Sequence, residues 1–495
     1  MVGCYLLALM VTRGRDMLYT LGLAAGLILL CDPHALFTLG FQLSFVAVAA
    51  IILVGQRLTP RDPSHVTIRR WQQRLWLALL STSAAYAGTV PLLASAFHTI
   101  PTYGSLSNVL LVPLAGLIVP AGAVALLLSV LWPALAPWVF APLAVLLGGL
   151  HALVQYVAAL PGAQLHVAAP SALMLIAYYG LLGRLLTLRR RSCLPWVGIW
   201  SALLLAGVAW QYIEARPQHL RITFLDVGTG DAILVQAPGN RTLLIDGGGT
   251  YDGRFDIGTN VVAPVLWQRY IRRFELMALT HTHPNHARGL VRLFQLFPTR
   301  HLLTNGSPLQ NGYLHELATT AAQRGTPIHS APTGPRQWQW GKLQLTVLSP
   351  PAAVPSRHAD WHPPTENDRS LVLRLQYGAF RILLTGDIQH ATERWLLTQD
   401  IDLQADILQV PHHGSRTSTS SAFVQRVQPQ VGIISAGAGN PYGHPHPRVL
   451  DVLEKQHVRV LRTDRHGAVT IISDGTTYQV LPFRVDRSPL RLQGP

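Results

Sequence analysis

Two kinds of hydrophobic pattern divide the chain near residue 215. Before it, the runs Met17–Cys31, Gly40–Gly55, Leu75–Ala94, Leu106–Leu131, Pro137–Leu160, Ala172–Leu188 and Leu194–Tyr212 are apolar along nearly their whole length. About 20 such residues cross a bilayer as a helix, so each run predicts a membrane span. Pro113 and Pro120 make a broken or re-entrant pair the alternative for 106–131. Residues 1–11 resemble the tail of another span and lack the basic start and cleavage site of a signal peptide. A membrane domain truncated at its N-terminus is therefore expected. After Arg216-Pro217 the pattern changes to short apolar runs split by turns. Arg221–Val227, Asp231–Ala237 and Arg241–Asp246 predict a meander, divided at Gly228-Thr229-Gly230 and Pro238-Gly239-Asn240. Strands are expected at Glu275–Thr280, Ser370–Gln376, Phe380–Thr385, Ala405–Val410, Gln430–Ser435, Ala468–Ser473 and Thr477–Phe483. Helices are expected at Ala287–Leu296, Leu314–Arg324, His390–Gln399 and Val449–Lys455. Strands interspersed with helices predict a layered α/β domain over 216–495, after a membrane domain over 1–215.

Composition sharpens that division. Of 495 residues 49% are apolar and 13% charged, with mean hydropathy +0.27; an average soluble protein is about a quarter charged. No Asp, Glu, Lys or Arg occurs from Leu75 to Gly183, which excludes a soluble domain there. The net charge of +15 is shared between the two parts. A basic soluble part suits an anionic partner such as nucleic acid or lipid headgroups. Basic residues cluster at Arg13 and Arg15, at Arg57, Arg61, Arg69, Arg70 and Arg74, and at Arg184 and Arg189–Arg191. The loops near 32–40, 96–104 and 160–170 have none. The positive-inside rule then places the basic loops in the cytoplasm and the C-terminal domain outside. Gln42, Ser44, Ser105, Ser107 and Asn108 fall within apolar segments; they serve either helix–helix hydrogen bonds or a polar path. The three cysteines, Cys4, Cys31 and Cys193, all precede the second domain, so no disulfide framework or Cys-based zinc site exists there.

Residues able to hold a metal cluster at strand ends. Leu279-Thr280-His281-Thr282-His283-Pro284-Asn285-His286 begins where the Glu275–Thr280 strand stops. Neutral imidazoles on one loop can converge on one ion. Asp246, before three glycines, and Asp387, after Thr385-Gly386, end apolar runs. Pro411-His412-His413-Gly414-Ser415 and Tyr442-Gly443-His444-Pro445-His446 follow two more strands. A single His pair is common by chance; four such clusters, each directly after a strand, are not.

The motif around His281 is similar to the H-x-H-x-D-H signature of the metallo-β-lactamase fold, a four-layered αββα sandwich with a one- or two-metal hydrolytic site. Asp226-Val227-Gly228-Thr229-Gly230-Asp231-Ala232 resembles D-V-G-Q-G-D-A. With Asp256-Ile257-Gly258, Val261-Val262-Ala263-Pro264, Thr385-Gly386-Asp387, Pro411–Ser415 and Asn440–Pro445, it resembles the soluble domain of the ComEC family, bacterial competence proteins that import DNA. Asp32-Pro33 and Gly40–Phe45 resemble that family's competence domain. The resemblance covers nearly the whole chain and lacks the family's N-terminal OB-fold domain and earlier helices. It implies a membrane channel for one DNA strand and a metal-dependent nuclease outside the membrane that degrades the other. His281 and His283 then match ligands of a first metal. Asp387 bridges two, and His286 with His412 serves the second, with His413 as the substitute for His412. Asp246 orients the site. Ser415, Tyr442, His444 and His446 hold phosphate or simply bond within their loops.

Asn285 departs from the family motif, which has Asp there as ligand and proton acceptor. An amide offers one neutral oxygen and accepts no proton, so a weakened second-metal site is expected. Ala287-Arg288-Gly289 also replaces the usual glycine pair. The expected cofactor is manganese or zinc, one or two ions. Expected partners are single-stranded DNA in the membrane, duplex DNA at the outer face, the bilayer and other competence proteins, with self-association left open. The expected location is the bacterial inner membrane. Two rival readings are a degenerate domain that binds DNA or braces the channel without cutting, and a membrane-tethered hydrolase of small molecules.

Overall fold

The computed structural model describes residues 17–58, 70–187, 194–310, 312–351, 363–484 and 490–493. Arg13, Arg15, Arg61, Arg69 and Arg189–Arg191, on which the orientation expectation leans, lie outside the described residues, as do residues 1–11, Cys4 and Cys193. The chain divides into two compact units, Met1–Tyr212 and Ile213–Pro495.

The first unit is helical: α1 (Met17–Cys31), α2 (Leu39–Leu58), α3 (Arg70–Phe97), α4 (Gly104–Leu131), α5 (Ala136–Ala159), α6 (Ala172–Thr187) and α7 (Leu194–Glu214). Among the described residues five helical stretches are long and apolar enough to cross a membrane; Met17–Cys31 and Ala172–Leu185 are apolar but shorter. α4 is one continuous helix despite Pro113 and Pro120, so the broken-pair alternative does not hold. Prolines survive in such helices when neighbours satisfy the freed carbonyls. Pro91 in α3 shows how. It has no N–H for Ala87 O, and the Tyr178 hydroxyl from α6 donates there at 2.7 Å, while Tyr179 donates to Gly88 O at 2.9 Å. Short strands β1 (Thr99–Pro101) and β2 (Gln164–His166) pair antiparallel, which brings the two uncharged loops flanking α4 and α5 together. Gln42 Nε2 and Ser107 Oγ donate to the carbonyls of Leu36 and Gly104, bonds local to the backbone.

The second unit is a two-sheet sandwich. Its elements are β3 (Leu220–Phe224), β4 (Ile233–Ala237), β5 (Arg241–Ile245), a wide turn at Gly258–Val262, α8 (Ala263–Gln268), β6 (Leu276–Leu279), α9 (Pro284–Leu296), β7 (Leu302–Thr304), α10 (Tyr313–Arg324), β8 (Ile328–Ser330), β9 (Gln337–Trp340), β10 (Leu343–Ser349), β11 (Val372–Tyr377), β12 (Phe380–Leu384), α11 (His390–Thr398), β13 (Ile407–Gln409), α12 (Ser421–Val427), β14 (Val431–Ile434), α13 (Pro447–Lys455), β15 (Arg459–Arg462), α14 (Thr463–His466), β16 (Val469–Ser473), β17 (Thr477–Pro482) and β18 (Leu490–Gln493). One sheet runs β18-β17-β16-β3-β4-β5-β6-β7-β8, the other β15-β14-β13-β12-β11-β10-β9. The expected meander is β3-β4-β5, antiparallel throughout. Beyond β5 and beyond β12 the pairing becomes parallel, the pairing that helical crossovers require.

Alternation along the strands builds the layers. Ile222, Phe224, Ile233, Val235, Leu243 and Ile245 face Leu373, Leu375, Ile382 and Ile407 of the other sheet. Their neighbours Leu234, Leu244, Met277 and Leu279 face α8 and α9 through Leu266, Leu290 and Phe294. On the far sheet Leu383 and Leu408 meet Leu396 and Phe423 of α11 and α12. Both faces of each central strand are thus buried, and such strands read as near-continuous apolar runs. The order of layers is helix, sheet, sheet, helix, the αββα sandwich of the metallo-β-lactamase fold.

Candidate metal centre

At one end of the sandwich the chain leaves β5, β6, β12, β13 and β14 in loops that carry Asp246, the His281–His286 segment, Asp387, His412–His413 and Tyr442–His446. Asp387 lies at the middle, 2% exposed. Its Oδ2 is 3.7 Å from His281 Nε2, 3.3 Å from His286 Nε2 and 3.9 Å from His412 Nε2; its Oδ1 is 3.5 Å from His413 Nε2. His283 Nδ1 lies 3.1 Å from His281 Nε2.

The outer ring nitrogens set the tautomers. Thr280 Oγ1 donates to Asp246 Oδ2 at 2.6 Å, so toward His281 Nδ1, at 3.1 Å, it can only accept. His281 therefore carries its proton on Nδ1 and presents the Nε2 lone pair inward. His286 Nδ1 donates to Asp246 Oδ2 at 2.8 Å, and His413 Nδ1 to Ser435 O at 3.0 Å. Three imidazoles thus aim Nε2 at Asp387, the arrangement that metal-binding histidines take when the second nitrogen is tied to a carboxylate or carbonyl. Asp246, fully buried, also accepts from Thr280 N. A left-handed φ of 58° lets it turn back under the His281 loop.

Charge fits the same purpose. Burial pulls the His286 ring down, but Asp387 and Asp246 outweigh it and hold its pKa well above the ordinary value. Burial raises Asp387, yet His413, His286 and His281 reverse this and leave it well below the carboxylate range. Burial, reinforced by His286, keeps His281 well below the usual imidazole value. Burial also lowers His283 and His412. The buried His286 Nε2, Asp231 Oδ1, Asp387 Oδ1 and Asn285 Oδ1 have no hydrogen-bond partner, and such orphans in a polar cluster are what a bound ion satisfies. One atom each from Asp231, His286, Asp387 and His413 lie within 4.8 Å of one another. Buried imidazole and carboxylate donors at this spacing fit a divalent metal ion.

The site residues expected from sequence fall into three groups. His281, His283, His286, Asn285, Asp387, His412 and His413 converge, with Asp246 behind them. His413 joins the His286 cluster, while His412 Nε2 faces Asn367 Nδ2 at 3.2 Å. Tyr442 stacks on His444, which packs edge-on against His412; burial and that neighbour push His444 down to about 4. Ser415 pairs with Thr417. His446 caps α13, its Nδ1 accepting from Arg448 N at 3.2 Å, and helix capping accounts for it. Asp231, Gln409, Asn367 and Glu366 carried no assigned role in the sequence. Glu366 accepts from Thr282 N, Thr282 Oγ1, Asn305 Nδ2 and Ser307 Oγ and so fixes the loop between His281 and His283. No spacing signal marks Glu366; Asp231 is a strand-flanking Asp beside glycine, as Asp246 is.

Helices able to cross a membrane, joined to an αββα unit with a His/Asp metal centre, define a membrane protein carrying a metallo-β-lactamase domain. Comparison with known families agrees: the Competence protein family matches residues 1–192 and the metallo-beta-lactamase superfamily residues 225–438. ComE operon protein 3 of Bacillus subtilis is 28% identical over 458 residues, 89% of this chain and 56% of that protein. Competence protein ComA of Neisseria gonorrhoeae is 29% identical over 272 residues, 54% of this chain and 35% of that one. Recombination protein 2 of Haemophilus influenzae is 30% identical over 251 residues, 51% and 28% respectively. The chain thus joins a region similar to the Competence protein family to a metallo-beta-lactamase region, and is similar over most of its length to a competence protein. It spans about half the length, or less, of these relatives.

Proposed function

We propose that this protein serves DNA uptake in transformation. The helical unit passes one strand through the bacterial inner membrane, and the sandwich unit, on the outer side, hydrolyses phosphodiesters of the strand left behind. The observation that carries this reading is the convergence of His281, His283, His286, His412 and His413 on Asp387 in a domain joined to a competence domain. His281 and His283 would hold one ion and His286 and His413 a second, with Asp387 as a ligand available to both and His412 beside the first. Manganese suits the mixed nitrogen and oxygen donors, with zinc the alternative. A divalent ion there supplies Lewis-acid polarisation of a phosphoryl oxygen and a water acidic enough to attack near neutral pH. Asp246 keeps His281 and His286 in the tautomers that bind. Ser415, Tyr442 and His444 form the rim that a phosphate backbone meets, and the basic balance of the unit favours such a polymer. Pairing of β1 with β2 supports an even number of crossings between the uncharged loops, and the positive-inside rule applied to the basic loops supports an outer position for the sandwich.

One observation favours a second reading, a domain that binds DNA without cutting it. Asn285 Nδ2 donates to His413 Nε2 at 3.3 Å, occupying a lone pair the second ion needs. Incubation of the full chain in detergent with duplex DNA and Mn²⁺ separates the two. Slow cleavage that chelation stops supports the nuclease; DNA retention with no cleavage supports the second reading.

A further inference from the structure

Asn285 brings no charge to the centre, yet the pocket beside it is not short of carboxylate. Asp231, in the Gly228-Thr229-Gly230-Asp231 turn between β3 and β4, is 1% exposed. Its Oδ2 accepts from Gln409 Nε2 at 2.7 Å and lies 3.8 Å from His286 Nδ1. Its Oδ1 is buried and unpartnered. Gly230 abuts the Asn285 backbone so closely that a Cβ there would sit 2.1 Å from Asn285 O, so the turn that carries Asp231 is packed directly on the residue that lacks charge.

Gln409 fixes this arrangement from the other side. Its Oε1 accepts from Thr385 N at 2.9 Å and Gly386 N at 3.2 Å, while its Nε2 holds Asp231. One buried amide therefore ties the Asp231 turn to the turn that presents Asp387. The Asp231 backbone is held as well, its carbonyl accepting from Gly248 N at 2.7 Å.

We infer that Asp231 is a metal ligand of this chain: with His286, His413 and Asp387 it forms the second cation pocket and supplies the anionic oxygen that Asn285 does not. The inference rests on the metal-centre reading above. Donors around an ion with bonds of about 2.1 Å stand about 3.4 Å apart in a tetrahedron, so atoms already within 4.8 Å need only a small contraction. Asp231 would bring a second carboxylate to this pocket beside the shared Asp387, partly offsetting the charge of the cation among two neutral imidazoles. A buried Asp is otherwise costly, and Gln409 with the nearby imidazole serves only Oδ2 and leaves Oδ1 without a hydrogen bond. Asn285 in this account packs against His413 and yields its position to the ion.

The test is Mn²⁺ binding to the full chain in detergent, measured by calorimetry and by metal content after gel filtration, with no activity readout. Wild type is expected to hold two ions. Asp231→Asn should weaken the second by roughly tenfold or more and leave the first, which His283→Ala removes. Asp231→Asn combined with Asn285→Asp should recover the second ion, because the charge returns on the neighbouring position; recovery also shows that Asp231→Asn folds. Asp231→Asn binding two ions as tightly as wild type overturns the inference, as does a double variant no better than Asp231→Asn. A wild-type chain that binds neither Mn²⁺ nor Zn²⁺ overturns the metal-centre reading itself. One that binds a single ion, unaffected by Asp231→Asn, overturns the inference and leaves that reading standing.

Discussion

In the helical unit Tyr86, Tyr178, Tyr179 and Thr102 all donate to backbone carbonyls, those of Pro101, Ala87, Gly88 and Gly162. Around Asp387, by contrast, side chains bond side chains: Thr280 to Asp246, Asp246 to His286, Gln409 to Asp231, Glu366 to Thr282. The difference follows from what each unit lacks. An apolar helix bundle has few polar groups, and those it has mend carbonyls exposed by Pro91 or by the β1 and β2 loops. The sandwich already satisfies its backbone in two sheets, so buried polar side chains there are left to build a charged site. Substitutions should therefore act on stability in the first unit and on metal binding in the second.

The largest effect should come at the centre of the second unit. Asp387→Ala should abolish metal binding, with His283→Ala removing at least the first ion; metal content after gel filtration would check this, while the melting transition of the metal-free protein stays cooperative. Replacing Asp246 should be milder. Asp246→Ala removes the acceptor for His286 Nδ1 and the Thr280 hydroxyl, and loss of such an outer partner lowers metal affinity by roughly 10–100-fold. A calorimetric Kd within twofold of wild type would contradict that.

Acidity should separate the units further. The proton on His286 and a cation compete for one Nε2 lone pair, and His286 is raised well above its usual value by Asp387 and Asp246 despite burial. Below that raised pKa each ion bound releases a proton, so affinity for Mn²⁺ should climb by up to about tenfold per pH unit. It should level off once His286 is neutral. His281, depressed by burial, adds no competing proton. Isotherms from pH 5.5 to 8.5 that are flat would break the argument. The smallest effect belongs to the helices. Tyr178→Phe leaves Ala87 O facing Pro91 without a donor, and interhelical hydrogen bonds of this kind average about 0.6 kcal/mol. The melting temperature in detergent should fall by a few degrees at most, with metal binding unchanged; a loss of bound metal would show the two units to be coupled.

Much of this was legible in the pattern of residues. Seven apolar runs became seven helices among the described residues, and Asp246, His281, His283, His286 and Asp387 stood out because strand ends bearing His or Asp are rare by chance. Strands β9 and β10 were not read: Gln337–Trp340 does alternate Gln with Trp at an edge, but four residues are too short a run to mark a strand by period alone. The wide turn at Gly258–Val262 lay inside a quoted motif with no local signal for its geometry. Whether His412 or His413 turns toward His286 depends on left-handed backbone at both, φ 51° and 54°, which a His-His pair does not announce. Gln409 escaped notice because its value lies in spanning two turns 24 and 178 residues away in sequence.

The central claim is that the sandwich is a metal-dependent nuclease limited by Asn285. The direct measurement is the rate of duplex DNA cleavage by the full chain in Mn²⁺, compared across wild type, Asn285→Asp and Asp387→Ala. The account predicts slow, chelator-sensitive cleavage by wild type and none by Asp387→Ala. It predicts a gain of about tenfold or more in Asn285→Asp, since a positioned proton acceptor contributes 10²–10⁴-fold. Equal rates in all three would assign the cleavage to something else. An Asn285→Asp chain that binds two ions and still leaves DNA intact would contradict the claim outright.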